Sequence, residues 1–96
     1  MINNFFSKRA QDIFDGTSSR YAREINSELH PKIRRLLDQL DIVKNVEELR
    51  APPSNRLEKL LGTLKEFWSL RINSQYRIIF RWNKATAFDV DIVDYH

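Results

Sequence analysis

The run Phe67-Trp68-Ser69-Leu70-Arg71-Ile72-Asn73-Ser74-Gln75-Tyr76-Arg77-Ile78-Ile79-Phe80-Arg81-Trp82-Asn83-Lys84-Ala85-Thr86-Ala87-Phe88-Asp89-Val90-Asp91-Ile92-Val93 decides the fold. Apolar residues recur at every second position, the period of a strand with one buried face. Trp68, Leu70 and Ile72 share one face of the first segment, and Tyr76, Ile78, Phe80 and Trp82 one face of the second. In the third, Phe88, Val90 and Ile92 alternate with Asp89 and Asp91. Asn73-Ser74-Gln75 and Asn83-Lys84 supply the turns. The pattern predicts a three-stranded antiparallel meander with an apolar face for helices and a polar face for solvent. Trp68, Phe80, Phe88 and Trp82 are assigned to the core, with base stacking by an edge tryptophan as the alternative.

Upstream, Pro52-Pro53 divides this strand half from a helical half. A short strand over Arg56 to Leu61, with Gly62 at the bend, is expected to join the sheet. Before the prolines, Ile33, Leu36, Leu37 and Leu40 follow at i, i+3, i+4 and i+7, an amphipathic helix that Pro31 can start. Asn45 and Glu48 have capping-box spacing for one more turn. Nearer the N-terminus, Ile2 to Phe6 suits a short strand. Ser7 suits the cap of a helix ending near Asp15, with Gly16 just beyond. A second helical stretch is expected after Ser19, with Tyr21 and Ile25 one turn apart. Helices first and strands after define an α+β fold, expected as one domain over residues 1–96.

Composition narrows the chemistry. Without cysteine, neither a disulfide framework nor a thiolate zinc site is possible, and the two histidines are far apart in sequence. A structural metal or other cofactor is not expected. The apolar N-terminal stretch is too short for a signal peptide, and no stretch approaches the ~20 apolar residues of a membrane span. A cytoplasmic location is the default expectation. The net charge of +3 says little, but its distribution says more. Seven basic residues lie between Arg50 and Arg81 against two acids, Glu58 and Glu66, whereas three acids and no Lys or Arg follow Ala85. The basic stretch is a candidate polyanion surface, with cross-strand ion pairing as the plainer alternative.

Metal-free cleavage of RNA suits this inventory. The 2′-hydroxyl is the nucleophile, so the protein supplies a proton acceptor, a proton donor for the leaving 5′-oxygen, and cations for the developing charge. His96 follows directly on the third strand. Its own carboxylate and Asp94 are expected to favour its protonated, acid form. Tyr95 offers a ring to a base and a phenol to a phosphate. A frayed tail is the competing reading. Arg77 and Arg81 project from one face of the same strand and suit phosphate contacts. Arg71 joins that face only if its connecting loop has three residues; a two-residue turn sets it opposite Ile78. His30, before Pro31, is read as a cap or surface residue.

The fragments Ala51-Pro52-Pro53-Ser54-Asn55-Arg56-Leu57-Glu58, Ser69-Leu70-Arg71-Ile72-Asn73, Gln75-Tyr76-Arg77-Ile78-Ile79-Phe80 and Val90-Asp91-Ile92-Val93-Asp94-Tyr95-His96, in this order, resemble the HigB-type toxins of the RelE superfamily. The likeness covers nearly the whole chain. It implies a RelE-like fold, with two to three N-terminal helices on one face of a curved antiparallel sheet. It also implies a type II toxin that cleaves messenger RNA on the 70S ribosome and is neutralised by a HigA-like helix-turn-helix antitoxin. The antitoxin would carry the complex to operator DNA. The catalytic residues implied are Arg77, Asp94, Tyr95 and His96; Glu58, where some members carry histidine, is either a further base or merely an ion-pair partner of Arg56 or Lys59. Arg56, Lys59, Lys65, Arg71 and Arg81 are the expected RNA- and ribosome-binding residues. One stretch departs from the family pattern: Leu61-Gly62-Thr63-Leu64-Lys65-Glu66 replaces a basic Lys-Gly-Asp-Arg-like run. A member that binds the ribosome or antitoxin but cuts weakly or not at all is the alternative.

Overall fold

A computed structural model describes residues 1–95. The helical half contains α1 (Lys8–Asp15) and α2 (His30–Ile42). Ser7 caps α1 by accepting from the Ala10 N–H, and Gly16 closes it with φ 74°, a conformation that costs glycine nothing. Pro31 stands in the first turn of α2, and Ile33, Leu36, Leu37 and Leu40 are all buried. The stretch after Ser19 is not the single helix expected. It forms two 3-10 turns, Ala22–Glu24 and Ser27–Leu29, with Ile25 buried in extended conformation between them. The Asn45–Glu48 capping box forms and opens a 3-10 turn over Val46–Arg50.

The sheet contains β1 (Glu58–Lys59), β2 (Phe67–Arg71), β3 (Tyr76–Asn83) and β4 (Thr86–Asp94), antiparallel in the order β1-β2-β3-β4. The strand expected over Arg56 to Leu61 shrinks to two residues because Arg56 takes a left-handed conformation, φ 47°. The N-terminal segment runs parallel to β4 but makes only isolated bridges, Ile2 to Ala87 and Phe5 to Val90, rather than a continuous strand. Leu70, Ile72, Ile78, Phe80, Val90 and Ile92 face the helices and form one cluster with Ile33, Leu36, Leu37 and Leu40.

One register change alters which residues face solvent. Ile79 pairs with Asp91, but Arg81 pairs with Phe88, so β4 holds one extra residue there. This is a β-bulge, and Asp89 sits in it at φ 53°. The extra residue reverses the alternation. Ala87, opposite Trp82, takes the core position, and Phe88 turns to the face of Arg81. Phe88 is therefore not a core residue, contrary to the straight period-two reading. Asn4 holds the bulge: its Oδ1 accepts from the Asp89 N–H at 3.1 Å and its Nδ2 donates to Asp89 Oδ1 at 2.8 Å.

Candidate active site

The open face of the sheet collects most of the residues singled out by sequence. β2 pairs with β3 so that Arg71 stands directly opposite Arg77. The register thus places Arg71 on the face of Arg77, and not opposite Ile78, which pairs with Leu70. Glu58 pairs with Ser69 on the neighbouring strand.

Arg77 is the centre of this face. Only 7% of the residue is exposed, yet it carries a full charge. Its Nε donates to the buried Ser69 Oγ at 2.9 Å and its Nη2 to the Arg56 carbonyl oxygen at 2.7 Å. The Arg56 kink, which delays the start of β1, therefore also aims a carbonyl at the guanidinium. Glu58 Oε1 lies 3.8 Å from Nη2, while the glutamate remains half exposed. It faces Arg77 rather than Arg56 or Lys59. The Tyr95 ring covers the guanidinium, with 5.5 Å from the arginine carbon to the ring centroid. A planar cation is thus fixed between a carboxylate and an aromatic ring.

The tail does not fray before this contact. The Tyr95 N–H donates to the Gln75 carbonyl at 2.6 Å, extending the β3–β4 pairing one residue past the strand. Asp94 pairs by register with Tyr76, on the opposite side of the strand from Arg77, and accepts from Gln75 Nε2 at 3.1 Å. Tyr95 is therefore brought onto Arg77 directly, and Asp94 lies beside the loop before β3. His96 lies outside the described residues.

The other expected contacts surround this cluster. Leu60, Leu61, Leu64, Glu58, Lys59 and Tyr95 line a cleft of about 220 Å³ beside it. Lys59 also places its ammonium 5.1 Å from the Trp68 ring centroid. Arg81 follows Arg77 by four residues, about 13 Å at ordinary strand rise, too far for both to hold one phosphate. It pairs with Asp89 at 3.2 Å and, with Lys59 and Lys65, borders a groove of about 660 Å³. Among the described residues no helix is long and apolar enough to cross a membrane, and no three metal-ligating side chains come together.

Sequence reasoning missed Ser69 and Phe88. Ser69 carried a weak signal: a small polar residue inside an apolar strand, on the face of Arg71. Phe88 carried none, because the alternation around it reads as regular. His30 is where it was expected: at the start of α2, its Nε2 2.9 Å from the Ile25 carbonyl oxygen.

Comparison with known proteins starts from the fold. The YoeB–YefM complex from Staphylococcus aureus contains a chain similar to this one over its full length and 98% of that chain, with TM-score 0.59 and 23% identity. A second structure, of the heterotetrameric YoeB–YefM toxin–antitoxin complex from the same organism, gives TM-score 0.54 and 17% identity with the same coverage. The likeness is one of fold, helices packed on one face of an antiparallel sheet in an α+β arrangement. Residues 4–96 match the HigB-like toxin family, described as the RelE-like toxin of type II toxin–antitoxin system HigB, and the chain belongs to that family. Toxin HigB-1 of Vibrio cholerae serotype O1 is 42% identical over 67 residues, 70% of each chain. An uncharacterised Haemophilus influenzae protein is 37% identical over 59 residues, 62% of this chain and 58% of its own length.

Proposed function

We propose that this toxin is a ribosome-dependent messenger RNA endonuclease that cuts by attack of the 2′-hydroxyl, without a metal. The observation that carries the reading is Arg77, a nearly buried cation held under Tyr95 and beside Glu58 on an open sheet face. A buried, prefixed guanidinium reorganises little as charge develops on the phosphate, which is how preorganised electrostatics lower a barrier. Glu58 is the base for the 2′-hydroxyl, and His96 donates a proton to the leaving 5′-oxygen. Asp94 acts through His96 rather than on the phosphate, given its side of the strand. Tyr95 positions the substrate, and Arg71 assists Arg77 from directly across the sheet. Proton and phosphate balance then gives a 2′,3′-cyclic phosphate and a 5′-hydroxyl. A helix-turn-helix antitoxin neutralises the protein; the solved relatives being toxin–antitoxin complexes supports such a partner. A cytoplasmic location follows from a ribosomal substrate.

Sequencing of RNA 5′ ends after induction tests this. The wild-type chain is expected to create new 5′-hydroxyl ends within translated codons and to stop growth. Glu58→Gln, which preserves volume, should reduce cutting by about 10²–10⁴-fold. Intact cleavage and growth arrest after joint substitution of Arg77 and His96 would refute the assignment.

A second reading has its own observation. Leu61 is 87% exposed in a loop that departs from the basic run the family resemblance leads one to expect, and two of the Arg77 donors are already engaged by Ser69 and the Arg56 carbonyl. A protein that occupies the ribosome without cutting fits these facts. It predicts toeprint arrest with no new RNA ends.

A further inference from the structure

The groove beside Arg81 is not used by the proposed chemistry, and its composition is unusual. It sets the cations of Lys59, Lys65 and Arg81 beside Trp82 and Phe88, with Asn83 at the hairpin end. Phe88 is there only because of the bulge. A regular β4 would bury it, and the protein instead places alanine in the core opposite Trp82. Two hydrogen bonds with the Asn4 side chain, one donated and one accepted, and the Arg81–Asp89 ion pair hold the departure in place. A partly exposed aromatic ring is thus fixed among cations, on the same sheet face as Arg77 and about 13 Å along the strand.

We infer that this groove is a second contact for single-stranded RNA, in which Phe88 stacks a base flanking the cleaved nucleotide while Lys59, Lys65 and Arg81 meet its phosphates. The inference rests on the endonuclease reading and adds a positioning residue to it. Base stacking on an aromatic ring beside cations is the general way a protein holds an unpaired strand. The spacing fits an extended strand. Arg81 stands about 13 Å from Arg77, more than one internucleotide step. A strand whose scissile phosphate sits at Arg77 thus brings a nearby nucleotide to Arg81. Two carboxylates, Glu66 and Asp89, also line the groove. A nucleotide offers phosphates to the cations and base amino groups to the carboxylates and Asn83.

The test uses the full chain labelled with ¹⁵N and a short single-stranded oligoribonucleotide, compared with an abasic strand of equal length and charge. The intact strand is expected to shift resonances of Phe88, Asn83 and Trp82 and to bind about tenfold more tightly than the abasic one. Phe88→Ala should remove that difference, and Phe88→Trp should keep it. On programmed ribosomes, Phe88→Ala should raise KM about tenfold with kcat nearly unchanged. Equal binding of both strands by the wild type, or a Phe88→Ala chain that still tells them apart, overturns the inference. The two readings fail separately. A wild-type chain that distinguishes the strands but makes no new RNA ends keeps the groove and loses the endonuclease. One that cuts with Phe88→Ala unchanged in binding and KM does the reverse.

Discussion

Arg77 illustrates how one side chain serves stability and chemistry together. Its guanidinium donates in two directions, to Ser69 and to the Arg56 carbonyl, so the same bonds that fix the cation also tie β3 to β2 and to the kink before β1. A lysine keeps the charge but cannot reproduce the planar fork. Arg77→Lys is therefore expected to fold, to lose about 1–3 kcal/mol of stability, and to cut at least about 100-fold more slowly. Ser69→Ala separates the two effects, since it removes one orienting acceptor and leaves the cation in place. Its stability should fall by about 1–2 kcal/mol and its cleavage by much less than that of Arg77→Lys. Thermal melts alongside single-turnover cleavage would measure both. Equal losses of activity in the two variants would mean that Arg77 acts only as a strut.

At the scale of the element, the β3–β4 hairpin shows where sequence reading succeeds and where it stops. Period-two alternation exposed the strands because each has one dry face, and side-chain alternation records that directly. It placed Arg77 and Arg81 on the open side for the same reason. The turn was placed one residue early. The observed loop is Lys84-Ala85, both at positive φ, 48° and 62°, as a two-residue hairpin needs, although neither residue prefers it. The bulge was invisible because the side chain that braces it, Asn4, lies 85 residues away in sequence. Likewise the Arg56 carbonyl reaches Arg77 only through a backbone kink that no side-chain pattern encodes. Two predictions belong here. Replacing Lys84-Ala85 by Asn-Gly should relieve the left-handed strain and add about 1 kcal/mol, or roughly 4–8 °C in Tm. Asn4→Ala should cost about 2 kcal/mol and speed amide exchange at Phe88 and Asp89 before the rest of β4, measurable by native-state hydrogen exchange. Uniform exchange along the strand would mean that the bulge holds itself.

Across the whole molecule, the helical half and its connections depend on carboxylates that must stay ionised. Asp12 is 2% exposed in the middle of α1, where the Ser19 hydroxyl donates to it at 2.6 Å and Lys8, one turn earlier, pairs with it at 2.9 Å. The Ser19 hydrogen bond, and then Lys8, hold its pKa below the ordinary carboxylate value despite burial. Glu48 is lowered in the same direction by backbone N–H groups of Asn45 and Lys44, the bonds that anchor the turn after α2. A carboxylate whose folded pKa is depressed binds protons more tightly in the unfolded chain. Its contribution is therefore fully present above the unfolded value, near pH 4, and is lost as pH falls through the lower folded value. Lys8 is raised by its hydrogen bond to Asp12, so its part persists below the unfolded lysine value and fades only as pH climbs through the folded one. Stability should be flat from about pH 5 to pH 9 and fall steeply below pH 4. Ser19→Ala should lower the plateau and, by returning the Asp12 pKa towards normal, flatten the acid limb. Thermal melts from pH 2.5 to 7 on both chains, with the Asp12 carboxyl followed by NMR, test the sign. An acid limb as steep in Ser19→Ala as in the wild type would place the acid sensitivity elsewhere.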